Sequence, residues 1–321
     1  MSAARLELVD LTVRYPVGRR SLGRRNGVVH AVEAVSLTVA EGEIVALVGE
    51  SGCGKSSLAR TVAGIHQPTS GQVILDGVTL TGQRGPDVKR HRRAIQLIHQ
   101  DPYDALDPRQ TVRSIVLEGL RIHRHPRAER DERVRLALER VGLTPAARVL
   151  DRFPHQLSGG QRQRVAIASA IALAPRLLVA DEPASMLDVS VRASVLRLFE
   201  ELRSDGLGML LITHDLASAT VHADRIAVMF LGRIVEEGPA RQVFREPRHP
   251  YTRALVSAMP QRDLTARPRV DLVSGEPVDA VNPPPGCAFA SRCPVVIAEC
   301  HDSAPPLRPI TDAHRAACIR V

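Results

Sequence analysis

The chain has 321 residues, a mass of 34.9 kDa, a net charge of +8 and a pI near 9.9, enough length for one large domain plus a smaller appendage. Only 2% of the residues are aromatic, which argues against base-stacking platforms for nucleic acid. The positive charge by itself constrains partners weakly: lysine occurs only at Lys55 and Lys89, and the rest of the 43 basic residues are arginine, a coding bias rather than a binding signal.

The opening MSAARLELVDLTVRYP has no basic segment leading into an apolar one, so retention inside the cell is expected. The longest apolar run, Val165 to Ala174, stops at Pro175 and Arg176, short of the roughly 18 to 20 residues of a membrane-spanning helix. Any membrane role is therefore expected to be peripheral. The basic stretch GRRSLGRRNG, Gly18 to Gly27, reads as a solvated insertion in the first sheet region, with contact to lipid headgroups as the alternative.

The next informative stretch is EIVALVGESGCGKSSLARTVAG. Ile44 to Val48 form an apolar, β-type run, a glycine-rich turn follows, and a helical pattern starts at Lys55. Gly49, Gly54, Lys55 and Ser56 satisfy GxxxxGK[ST], in which glycines let backbone N–H groups curl around phosphate oxygens at a helix N-terminus. Lys55 is expected to reach the β/γ-phosphates and Ser56 to bind magnesium. Cys53 lies inside the loop, where its backbone matters more than its thiol.

Downstream, LSGGQRQRVAIASAIALAP sets Leu157, Ser158, Gly159, Gly160 and Gln161 before a helix with Val165, Ala168 and Ala172 on one face. This is a second anion-binding helix start, and it has no lysine of its own. It makes sense if two chains pack head to tail, each capping the γ-phosphate held on the other's loop. RLLVADEP then gives Leu177 to Ala180 as a buried parallel strand ending in two carboxylates. Alternation is expected to point Asp181 and Glu182 to opposite sides, Asp181 holding magnesium through water and Glu182 polarising the attacking water.

With these motifs in sequence, residues 5 to 245 resemble the ATP-binding-cassette (ABC) ATPases, whose signature is LSGGQ. The resemblance implies an α/β P-loop NTPase fold: an ABC-type ATPase core with an antiparallel β subdomain and a helical signature subdomain. It implies that Gly49, Glu50, Ser51, Gly52, Cys53, Gly54, Lys55, Ser56 and Ser57 surround ATP and that Tyr15 stacks on adenine. Gln100 in LIHQDP corresponds to the glutamine that senses magnesium and the membrane subunit, and His214 in LLITHD to the switch histidine near the γ-phosphate. Ser158, Gly159, Gly160, Gln161 and Asp188 would reach the nucleotide of a second protomer, although Met186 in SMLD stands where the family more often has a small residue. DPYDALDPRQTVRSIVLEGLRIH and RFPHQ resemble the surface by which importer ATPases grip their membrane subunits, an ordinary helical surface being the alternative.

The tail extends the resemblance to nearly the whole chain. REPRHPYTRALVSAMP, PPPGCAFASRCPVVIAEC and PPLRPITDAHRAAC resemble the C-terminal extension of the oligopeptide/dipeptide importer ATPases, and GESGCGKSSLAR resembles the second of the two ATPase subunits. The implied organisation is an ATPase domain over residues 1–245 and a small cysteine-rich C-terminal domain over 246–321. Cys287, Cys293, Cys300 and Cys318 are spaced unlike the close pairs of structural zinc sites, and an intracellular setting disfavours disulfides. Members of the resembling family carry a 4Fe–4S cluster at these positions, which makes a cluster the expectation, with zinc or free thiols as alternatives.

The resemblance further implies ATP and Mg2+ as cofactors, a heterodimer with a second ATPase subunit, two transmembrane permease subunits, an extracytoplasmic solute-binding protein, no nucleic acid, and a peripheral place on the cytoplasmic face of the membrane. Import of peptide is the expected function. The alternatives are an importer for nickel or another small solute and, from a different class, a soluble DNA-repair ATPase.

Overall fold

The computed structural model describes residues 4–17, 27–83, 85–101, 105–259 and 279–321. Apart from Gly27, the basic stretch 18–27 lies outside them, as do residues 102–104. In chain order, strands β1 (Ala4–Pro16), β2 (Val28–Ala40) and β3 (Ile44–Val48) lead into helix α1 (Lys55–Val62), strands β4 (Ser70–Leu75) and β5 (Val78–Thr79), helix α2 (Pro86–Ala94) and strand β6 (Ile95–Ile98). Helices α3 (Val112–Ile122), α4 (Arg127–Arg140) and α5 (Gly159–Ile171) precede β7 (Leu177–Asp181), α6 (Val189–Ser204), β8 (Gly208–Thr213) and α7 (Leu216–His222). Strands β9 (Arg225–Phe230) and β10 (Arg233–Pro239) are followed by α8 (Ala240–Arg245) and α9 (Pro250–Ser257), and the chain closes with β11 (Arg308–Thr311) and β12 (His314–Ala316).

Two sheets organise these elements. The first is antiparallel, in the order β2-β1-β4-β5. In β2, buried Val35, Leu37 and Val39 alternate with exposed residues, so one face packs on the core while the other meets water. The second sheet runs β11-β12-β10-β9-β3-β8-β7-β6, and the five strands from β9 to β6 are parallel. Its central strands are covered on both faces: every residue of β3 and of β7 is buried, which explains their unbroken apolar runs. One hydrophobic cluster joins this sheet to α3, α4 and α5, and another joins it through α1 to the first sheet.

The antiparallel β subdomain, the parallel core and the helical subdomain all form as the motifs predict. The cysteine-rich C-terminal domain is not supported as a separate body. β12 pairs with β10, matching Glu236 to Ala316 and Glu237 to Arg315, and thereby adds the terminal hairpin to the core sheet. The physical reason lies in a buried carboxylate: Glu236, with 0% exposure, accepts from the backbone N–H groups of Arg248 at 2.7 Å and His249 at 2.8 Å and pairs with His314 Nε2 at 2.7 Å. A tail too short to bury its own core shares the core of the cassette.

Candidate functional site

The loop between β3 and α1 is shaped by glycines that tolerate no side chain. A Cβ on Gly49 would lie 2.2 Å from the Met229 carbonyl oxygen; one on Gly54, at φ 108°, would lie 1.9 Å from that of Ala31. The chain therefore turns tightly onto the sheet and releases α1 with no acidic residue in its first turn, leaving its positive end free for an anion. Lys55 is buried, and its Nζ donates to the carbonyl oxygens of Gly49 and Glu50, both at 2.8 Å. Burial pushes the neighbouring Cys53 thiol up, keeping it neutral beside the ammonium. Glu50, Ser51 and Gly52 are exposed at the loop tip, and Ser56 and Ser57 are half-buried on the first helical turn. Tyr15, half-buried on β1, meets the His66 ring edge-on at 6.0 Å.

The two carboxylates after β7 do face different partners. Asp181 Oδ1 accepts from Ser56 Oγ at 3.2 Å, and burial raises its carboxyl above the usual range. Ser56, Gln100 and Asp181 line one cavity of about 420 Å³. A hydroxyl, an amide and a carboxylate at its wall are the oxygen donors that suit magnesium. Glu182 lies beyond the strand at φ 47°, a left-handed conformation costly for a side chain of this kind, and its N–H donates to the Ile212 carbonyl oxygen at 2.9 Å. This turn, rather than strand alternation, separates the two acids. The Glu182 carboxylate meets Gln100 Nε2 at 3.3 Å and His214 Nδ1 at 3.1 Å, while the His214 side chain stays 58% exposed.

The glycine-rich turn before α5 is a reciprocal cap. Ser158 Oγ accepts from the Gln161 N–H at 3.3 Å, and Gln161 Oε1 accepts from the Ser158 N–H at 3.1 Å. Gly160 lies against Val191, where a Cβ would come within 2.5 Å, and Gly159 precedes it in the same first turn. None of these four residues lines the cavity of Asp181 or the one beside Glu182 and His214. Asp188 is exposed at the start of α6, with no capping bond from its side chain, between the exposed Met186 and Val189.

Cys287, Cys293, Cys300 and Cys318 converge on one narrow cavity of about 10 Å³, and all four thiols are free. Burial, with smaller contributions from the other cysteines, raises the thiols of Cys287 and Cys293. The donor chemistry suits a soft metal, but the expected 4Fe–4S cluster is not supported by the geometry. Among the described residues no three His, Cys, Asp or Glu side chains stand close enough to hold a metal ion, and the space between the thiols is that of about one water molecule.

Comparison with known proteins places the chain in a family. The ABC transporter family model matches residues 32–185, and the model for the oligopeptide/dipeptide transporter C-terminal region matches residues 235–300. The oligopeptide transport ATP-binding protein OppF of Escherichia coli is 41% identical over 324 residues, covering 98% of this chain and 96% of its own; OppF of Salmonella typhimurium is 40% identical with the same coverage. The chain belongs to the ATP-binding subunits of oligopeptide/dipeptide ABC importers. Among solved structures, a dimer of the ATP-binding cassette MJ0796 bound to ADP and Pi is 29% identical with a TM-score of 0.65, covering 74% of this chain and 99% of that one. The match of the tail to a transporter region leaves the DNA-repair alternative without support.

Within this importer ATPase, sequence reasoning missed the residues that join the tail to the loop. Tyr251 Oη accepts from the Glu50 N–H at 2.9 Å, and Arg292 grips the Glu50 carboxylate through two N–H groups, each at 3.1 Å. Both contacts span more than 200 positions, and no local pattern announces a bond of that range. Glu236 was missed as well, because its partners Arg248, His249 and His314, 12, 13 and 78 positions away, meet it only in the folded chain. Among the described residues, no helix is long and apolar enough to cross a membrane.

Proposed function

We propose that the chain binds and hydrolyses ATP at the loop Gly49–Ser57 and so energises uptake of peptides by an ABC importer. The observation that carries the site reading is the approach of Asp181 to Ser56 on one side and of Glu182 to Gln100 and His214 on the other. The loop N–H groups and Lys55 bind and neutralise the phosphates. Ser56, Asp181 and Gln100, which line one cavity, would hold magnesium, and the ion would supply charge neutralisation to the phosphates. Glu182 orients the attacking water and accepts its proton, with His214 fixing the carboxylate. Tyr15 stacks on the adenine.

A second ATPase subunit completes the site. Ser158, Gly159, Gly160, Gln161 and Asp188 line neither the cavity of Asp181 nor the one beside Glu182 and His214, which supports their acting on the partner's nucleotide. The partner is read as a different ATPase, giving a heterodimer on the cytoplasmic face of the membrane, docked to two permease subunits that receive peptide from an extracytoplasmic solute-binding protein. Residues 1–245 carry hydrolysis and 246–321 the importer-specific extension. Co-purification of the tagged chain with two polytopic subunits checks this assembly, and recovery of the chain alone from detergent extracts would reject it.

The finer reading of the four cysteines is an iron–sulfur cluster, supported by the convergence of all four thiols on one cavity. The cavity, about 10 Å³, must widen to hold it. Anaerobic purification with iron and sulfide analysis tests the reading, and stoichiometric zinc without iron rejects it.

A further inference from the structure

We propose that Tyr251 and Arg292 are positioning residues that set the grip of the phosphate loop on nucleotide from the C-terminal part of the chain. The inference rests on the reading of Gly49–Ser57 as the nucleotide loop. Three groups of one loop residue carry it. The Glu50 N–H donates to Tyr251 Oη at 2.9 Å, its carboxylate takes both N–H arms of Arg292 at 3.1 Å, and its carbonyl oxygen accepts from Lys55 Nζ at 2.8 Å. The residue held by the tail is therefore the residue that holds the lysine.

The holding groups are themselves fixed. Tyr251 is 1% exposed and its ring packs 4.6 Å from Phe230 and 5.5 Å from Phe289. The Arg292 guanidinium stacks over the same two rings, at 5.9 and 6.0 Å. Phe230 ends β9, next to the strand that delivers the loop, whereas Phe289 and Arg292 lie between Cys287 and Cys293. One aromatic cluster thus ties the loop, the sheet and the cysteine segment together. A planar, two-armed guanidinium fixes the direction of a carboxylate as well as its charge, and a hydroxyl aimed at a loop N–H fixes the peptide plane. Both act before nucleotide arrives, so they pre-shape the loop at no cost during binding.

The test uses the full chain with ATP and magnesium. Tyr251→Phe and Arg292→Ala should each weaken ATP binding about threefold to tenfold, the scale of one or two lost hydrogen bonds. Arg292→Lys should recover part of the loss. In steady-state hydrolysis the KM for ATP should rise by the same factor, a split from kcat that loss of folded protein does not give. Unaltered affinity in both variants, with Lys55→Ala abolishing binding, overturns the proposal and leaves the loop reading intact. Undiminished binding in Lys55→Ala overturns the loop reading itself. An affinity loss in Arg292→Ala that merely follows a lost near-ultraviolet circular dichroism signal, with none recovered by Arg292→Lys, also overturns the proposal.

Discussion

His214 Nδ1 stands 3.1 Å from the Oε2 atom of Glu182. The same oxygen accepts from Gln100 Nε2 at 3.3 Å, so two polar side chains from different strand ends converge on one carboxylate oxygen. In the proposed reaction the attacking water meets this carboxylate. Glu182→Gln keeps the shape and removes the proposed base. It should retain ATP binding while lowering turnover about 10²- to 10⁴-fold, measured as phosphate release in the assembled importer. Unchanged turnover would remove Glu182 from the site.

Gly54 offers a second test, on geometry rather than chemistry. Its φ of 108° and the 1.9 Å approach of a hypothetical Cβ to the Ala31 carbonyl oxygen leave no room for a methyl group. Gly54→Ala should lose nucleotide binding and cost about 1–3 kcal/mol of stability, read from thermal melting with and without ATP.

The buried carboxylate of Glu236 predicts a larger effect far from the nucleotide. It receives two backbone N–H groups and faces His314, and both side chains of that pair are fully buried. Glu236→Ala strips three donors of their acceptor and should cost about 3–5 kcal/mol in urea unfolding. Glu236→Gln, which keeps an acceptor, should cost less.

Acid should weaken the same region through His249. Its ring is 1% exposed, Nδ1 accepts from the Tyr251 N–H at 3.1 Å, and burial, helped by Arg253, lowers its pKa to about 4. The neighbouring Glu236 carboxylate meets the His249 N–H rather than its ring. A folded-state pKa below that of the unfolded chain means that the unfolded state binds the extra proton. Stability is full above the ordinary histidine value near 6.5 and falls as pH drops from there to about 4, by on the order of 3 kcal/mol. Thermal midpoints taken across that range should drop, and His249→Asn should flatten the slope.

Much of the proposed nucleotide site is legible in the sequence because its pattern is local. GxxxxGK[ST] specifies a turn and a helix start within eight residues, and Ser158 with Gln161 spells out a cap within four. The apolar run before Asp181 announced a strand buried on both faces. What local pattern could not show was the left-handed turn at Glu182, which depends on the Ile212 carbonyl of a neighbouring strand. Nor could it show Arg292 meeting Glu50, or the pairing of β12 with β10. Those contacts exist only once the chain has closed on itself, and nothing in the spacing of cysteines or prolines encodes their partners.

The pairing of β10 with the terminal hairpin has a consequence for biosynthesis. The strand that covers this margin follows every other strand of the core sheet in the sequence, so nearly the whole cassette can collapse while one row of amides and carbonyls stays bare. Bare margins recruit stray strands and seed aggregates. A truncation that ends before residue 314 should therefore misbehave in solution even though the phosphate-loop and signature motifs are intact, and chaperone demand should persist until β12 emerges.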